Sequence, residues 1–185
     1  MRLFVLVTVT ALALAGCGAE EKDARPPQTL PASALPELAS SARKLDADAL
    51  ALDALRPQSL AELLAEAEFD VGREREFSGK TTTFDHVVAR TLRFEGADGA
   101  HAYLDWLGRH GQDILGRVEP AKLSLPGDGG VAFTLFRCGT CKKELPTFLA
   151  GWRRDEIVLT LLAAGSGANA ERFGALVDEL DATLG

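Results

Sequence analysis

The sequence predicts an α+β fold, a mostly antiparallel sheet of about six strands packed with helices in the order α-β-β-α-β-β-β-β-α. Three observations carry that expectation. Segments with apolar residues at helical spacing are interspersed with segments that alternate in pairs. The connections between the strand-like runs are mostly short, which suits antiparallel pairing. The chain of 185 residues is 46% apolar, enough for one domain with a real core.

In QSLAELLAEAEF, Ser59 is placed as an N-cap with Glu62 three residues on, and Leu60, Leu63, Leu64 and Ala67 form an apolar stripe. The preceding ELASSARKLDADALAL is read as helical too, with an end left open by Pro57 and the Asp repeats. From Phe69 the period changes. FDVGREREF puts Phe69, Val71 and Phe77 on one side and Glu74 and Glu76 on the other, a strand with one wet face. Ser78-Gly79-Lys80 supplies a turn, and the β-branched run to Phe94 completes a hairpin with Val88, Leu92 and Phe94 on a common face. His86 and Arg90 share that face. They sit near the strand's ends or edge, or polar partners hold them inside.

The strongest helix opens at Asp98 as a cap, with Ala100, Tyr103, Leu104, Leu107, Gly111, Ile114 and Leu115 as its stripe and Gly116 at its close. Gly108 and Gly111 each cost about 1 kcal/mol relative to Ala inside a helix, which predicts a close packing contact or a break. Pro120 marks RVEPAKLSL as an edge strand. VAFTLF is strongly β. PTFLAGW and EIVLTLLA form a second hairpin around Arg153-Arg154-Asp155, and the run from Ile157 to Leu162 is apolar on both faces, as a covered central strand would be. Asn169 caps a last helix whose stripe is Phe173, Leu176, Val177, Leu180 and Leu184. This succession is similar to small PsbP-like or Mog1-like extracytoplasmic lipoprotein domains, a resemblance that covers roughly residues 59–184. It implies an architecture and a binding or assembly role, with no catalytic motif.

The N-terminus sets the expected location. Arg2 precedes the apolar run LFVLVTVTALALA, which as a helix would span roughly 21 Å against a hydrocarbon core near 30 Å. Leu14-Ala15-Gly16-Cys17 closes the run and resembles the lipobox of bacterial lipoproteins. The resemblance implies a signal peptide over residues 1–16, cleavage before Cys17, and acylation of Cys17. It implies a partner in the membrane and display on the cell membrane facing outside the cytoplasm. Residues 17–36, with four prolines and no period, are read as the lipidated Cys and a flexible tether, and 37–185 as a single α+β extracytoplasmic domain. A net charge of −7 argues against a nucleic-acid footprint.

With Cys17 lipidated, Cys138 and Cys141 remain, three positions apart and expected as a disulfide in an exported chain. CGTCKKELP, with Arg137, Lys142 and Lys143 beside the sulfurs, also resembles the active segment of membrane-anchored thioredoxin-like oxidoreductases. That implies attack by Cys138 and resolution by Cys141. Against it, too few residues follow Cys141 for the rest of such a fold, and Arg137 stands where an aromatic is customary. Zinc is a third use of the pair. His86, His101 and His110 lack metal-ligand spacing, and no Ser/His/Asp set is visible, so neither metal, cofactor nor catalytic residue is assigned. Gly165-Ser166-Gly167 is read as a tight turn ahead of a phosphate loop, the Asp128 loop has too few carboxylates for calcium, and Trp106 and Trp152 are placed in the core ahead of a partner surface.

The functional expectation is therefore a membrane-anchored, non-enzymatic lipoprotein that binds an envelope protein or a small apolar ligand, the latter needing an apolar-lined pocket between sheet and helix. The alternative is a thiol-disulfide oxidoreductase built on the CGTC motif.

Overall fold

The structure, a computed structural model, describes residues 26–52, 54, 56–135 and 145–185. Cys17, Cys138 and Cys141 lie outside the described residues. Strand β1 (Ala39–Leu45) leads through α1 (Ala47–Leu52) and α2 (Pro57–Glu66) to the hairpin β2 (Phe69–Ser78) and β3 (His86–Phe94). Helix α3 (Ala97–Leu115) follows, then β4 (Val118–Pro120), β5 (Gly130–Leu135), β6 (Thr147–Arg154), β7 (Ile157–Ala164) and α4 (Ala170–Asp181). The strands form one seven-stranded sheet in the order β1-β2-β3-β7-β6-β5-β4, antiparallel at every described pairing. The class is α+β.

The expectation of a helix over the first segment holds for its second half, α1, and is corrected in its first half by β1. Its residues are exposed except Leu45, so no apolar alternation announces a strand, and pairing with β2 from Ala39↔Ser78 to Leu45↔Gly72 decides its state. Part of the stretch read as tether is also folded. Leu30 is fully buried, and Thr29 donates to the Ala89 carbonyl at 3.3 Å, so this segment packs on the sheet beside α4.

The sheet is covered on both faces. On one, Phe77, Val87, Ala89, Leu159 and Leu161 meet Phe173, Leu176, Val177 and Leu180 of α4. On the other, Leu45, Leu92, Phe94, Leu149 and Val158 meet α1, α2 and α3. Strand β7 lies at the centre of the order and contributes alternately to each core, as its two apolar faces predicted. Pro120 lies on the edge strand β4, where a missing N–H costs no ladder bond.

Three local expectations change. A bulge between Phe69 and Val71 breaks the alternation, so Phe69 packs edge-on to Phe94 at 5.5 Å in the core beneath α1–α3 while Phe77 faces α4. Helix α2 starts with Pro57 in its first turn and Arg56 as N-cap, so Ser59 lies inside the helix. Helix α3 starts at Gly96, which leaves Asp98 in the first turn, where its charge complements the exposed N–H groups. Asn169 caps α4 as expected, accepting from Arg172 N–H at 2.9 Å. The glycines of α3 mark close packing in an unbroken helix: a Cβ at Gly111 would lie 2.7 Å from the Phe133 ring, and one at Gly108 would lie 3.2 Å from Val131.

Candidate functional site

In-register pairing sets a polar row across the sheet face beneath α1–α3: Arg43 on β1 opposes Glu74 on β2, which opposes Arg90 on β3, which opposes Thr160 on β7. Arg43 Nε donates to Glu74 Oε1 at 2.7 Å and Arg90 Nε donates to Glu74 Oε2 at 2.6 Å. The Glu74 side chain is 6% exposed, against 20% for Arg90 and 51% for Arg43. Burial pushes the Glu74 carboxyl up, but the hydrogen bonds and charges of Arg43 and Arg90 together outweigh it and hold it below the usual glutamate range. The carboxylate is therefore ionised at neutral pH.

The expectation that Glu74 lies on a wet face is corrected here. Helices α1, α2 and α3 cover that face, and a carboxylate survives beneath them because both of its oxygens are bonded to guanidinium groups. Arg90 resolves the other way: of the two placements open to it, it takes the interior one with a polar partner. The sequence signal that could have located this cluster is the opposite charge at positions 43, 74 and 90, which become cross-strand neighbours.

A cavity of about 90 Å³ opens beside this row, between the sheet and the helices. Its sheet side presents Arg90, Thr160, Val88, Leu149 and Leu162, and its helix side presents Leu50, Leu60, Tyr103, Trp106 and Leu107. Trp106 is 4% exposed, and its indole Nε1 is a buried donor without a hydrogen-bond partner among the described residues. A buried donor left unpaired costs about 1–3 kcal/mol, which makes this N–H a point of contact for a hydrogen-bond acceptor entering the pocket. Trp106 stacks on His110 at 5.1 Å and lies 6.0 Å from the Tyr103 ring, which fixes its plane. Three other hollows of about 330, 390 and 660 Å³ are surface grooves, and none is lined by a buried polar atom lacking a partner among the described residues.

The remaining sequence candidates are not brought to this pocket, His110 excepted through its stacking. His86 lies 3.6 Å from Glu76 on the surface, and His101 lies 3.6 Å from Asp105 one turn on along α3. Among the described residues no group of three or more His, Cys, Asp or Glu side chains could hold a metal ion. Trp152 is fully buried in the opposite core and donates to Asp181 Oδ1 at 3.0 Å. The N–H groups of Gly165 and Gly167 are spent on the Pro146 and Thr83 carbonyls, so the glycine segment is a tight turn. Asp128 braces the β6–β7 hairpin: its N–H donates to the Arg153 carbonyl, and its carboxylate accepts from Asp155 N–H at 3.4 Å.

Fold and pocket define a three-layer α+β domain with a small charged-floor cavity under one helical layer. No family model matches the chain, and no curated protein matches it. Among solved structures, the chain is similar to the extracellular domain of PknH from Mycobacterium tuberculosis. The two share 14% identity over 78% of this chain and 82% of that one, at a TM-score of 0.44.

Proposed function

We propose that the protein is a lipid-anchored extracytoplasmic domain that binds a small molecule, without chemical conversion, in the pocket between its sheet and α1–α3. The observation that carries the binding role is Trp106: a buried N–H without a partner among the described residues, on the wall of a cavity whose other walls are mostly apolar. Ligand sites combine apolar walls with a few placed polar groups, and this pocket has that makeup at small scale. The anchor rests on the Leu14-Ala15-Gly16-Cys17 sequence. Among the described residues no helix is long and apolar enough to cross a membrane. The oxidoreductase alternative finds no support in the topology, because a thioredoxin-like motif needs a βαβ unit with parallel strands and every described pairing is antiparallel.

Two measurements test the two halves. Labelling cells with palmitate should mark the wild-type chain and leave a Cys17→Ser variant unmarked; label on both overturns the anchor. Thermal unfolding of the wild-type domain with 1-hexanol, a neutral probe of the apolar walls, should shift upward saturably. A Val88→Phe variant, which fills the cavity from β3, should show no shift; equal shifts in both proteins overturn the pocket as the site.

A further inference from the structure

The hydrogen-bonding groups on the pocket wall narrow the class of molecule it takes, an inference that rests on the binding role proposed above. Four residues bring polar side chains to the cavity: Arg90, Thr160, Tyr103 and Trp106. Arg90 is already engaged, donating to Glu74 at 2.6 Å and making further interactions, and Tyr103 is engaged as well. Trp106 differs, because its indole N–H is buried and meets no acceptor among the described residues. An indole nitrogen only donates, so the occupant that relieves it presents an acceptor.

The same wall disfavours a charged head. An anion would leave water for a site whose nearest guanidinium is already bonded, so no free counter-charge offsets its desolvation, and a cation would meet Arg90. Donors on the occupant fare little better. Arg90 and Trp106 carry no acceptor, so an N–H or O–H brought into the cavity depends on the hydroxyls of Thr160 and Tyr103. A bare carbonyl needs neither. The walls of Leu60, Leu107, Leu149 and Leu162 suit hydrocarbon.

Size sets the rest. A cavity near 150 Å³ holds benzene, so about 90 Å³ holds the carbonyl and only a few carbons, and any longer tail extends out of it.

We infer that the pocket takes a neutral carbonyl compound without N–H or O–H groups, a ketone or ester with a short alkyl tail, its oxygen accepting from the indole N–H of Trp106. The test is calorimetric titration of the domain with three probes of matched length: 2-hexanone, 1-hexanol and hexanoate. The ketone should bind at least threefold more tightly than the alcohol and at least tenfold more tightly than the carboxylate. Trp106→Phe, which keeps an aromatic ring and removes the donor, should weaken 2-hexanone about fivefold. Circular dichroism matching the wild type establishes that the variant is folded; should it fail to fold, the wild-type ranking alone decides. Hexanoate or 1-hexanol binding as tightly as 2-hexanone, or a folded Trp106→Phe variant with unchanged affinity for the ketone, overturns this inference and leaves the binding role standing. No heat from any of the three overturns both.

Discussion

Glu74 on β2 and Arg90 on β3 are opposite one another in register and joined by a 2.6 Å charged hydrogen bond beneath the helical layer, with Arg43 completing the row from the edge strand. Removing the carboxylate leaves two guanidinium groups facing each other, one of them well buried. Glu74→Gln should therefore lower stability by about 3 kcal/mol. Arg43→Ala, at the half-exposed end, should cost under about 1 kcal/mol. Denaturant midpoints at constant slope measure both, and equal losses would contradict the asymmetry.

The same row makes stability depend on pH. Glu74 titrates lower in the folded chain than in the unfolded one, so the unfolded state binds protons first on acidification. Its contribution is fully present above the ordinary glutamate range and is lost as pH falls through the depressed folded value. Asp181 behaves alike: the hydrogen bond from Arg154 lowers its pKa, burial opposes, and the bond from Trp152 adds to the lowering. The stability gap between wild type and Glu74→Gln should thus be wide near about pH 7 and shrink on titration to about pH 3, while the Asp181 part persists in both.

Asp181 ties the end of α4 to β6. It accepts from Trp152 Nε1 at 3.0 Å and from Arg154, whose Nε lies at 2.7 Å. Asp181→Ala leaves the Trp152 N–H unpaired in a closed core and should cost about 1–3 kcal/mol. Arg154→Ala keeps the buried bond and should cost less, as thermal melts of the two variants would show.

Gly111 permits α3 to sit on the Phe133 ring. Gly111→Ala gains about 1 kcal/mol in helix propensity but forces overpacking of about 1–3 kcal/mol, so the variant should be less stable overall. Phe133→Leu in the same chain should reverse part of the loss, a coupling that a double-mutant cycle reads directly.

Much of the architecture was legible where apolar periodicity is strong. The stripes of α3 and α4, the two-faced run of β7, the Asn169 cap and the edge position of Pro120 are all local signals that tertiary packing leaves unopposed. Strand β1 was not legible, because an exposed edge strand needs only a partner and carries no period of its own. Nor was the side of Phe69, which the bulge reverses. The pocket was invisible for a related reason. Arg43 falls in a stretch that reads as helix and Glu74 on a strand face that reads as wet, and only the pairing of β1 and the layer of α1–α3 join them to Arg90 in an interior row. Trp106 was placed in the core, where it lies, but nothing in its neighbours along α3 shows that its N–H lacks a partner.

The claim on which the account turns is that the cavity beneath α3 is where a ligand enters. The indole N–H signals of the two tryptophans, Trp106 and Trp152, in ¹⁵N-labelled protein test it most directly. On titration with 2-hexanone or 1-hexanol, the Trp106 signal, assigned by its loss in Trp106→Phe, should move saturably while the Trp152 signal, held by Asp181, stays in place. A Trp106 signal that does not move with either probe, or a shift confined to Trp152, would contradict it.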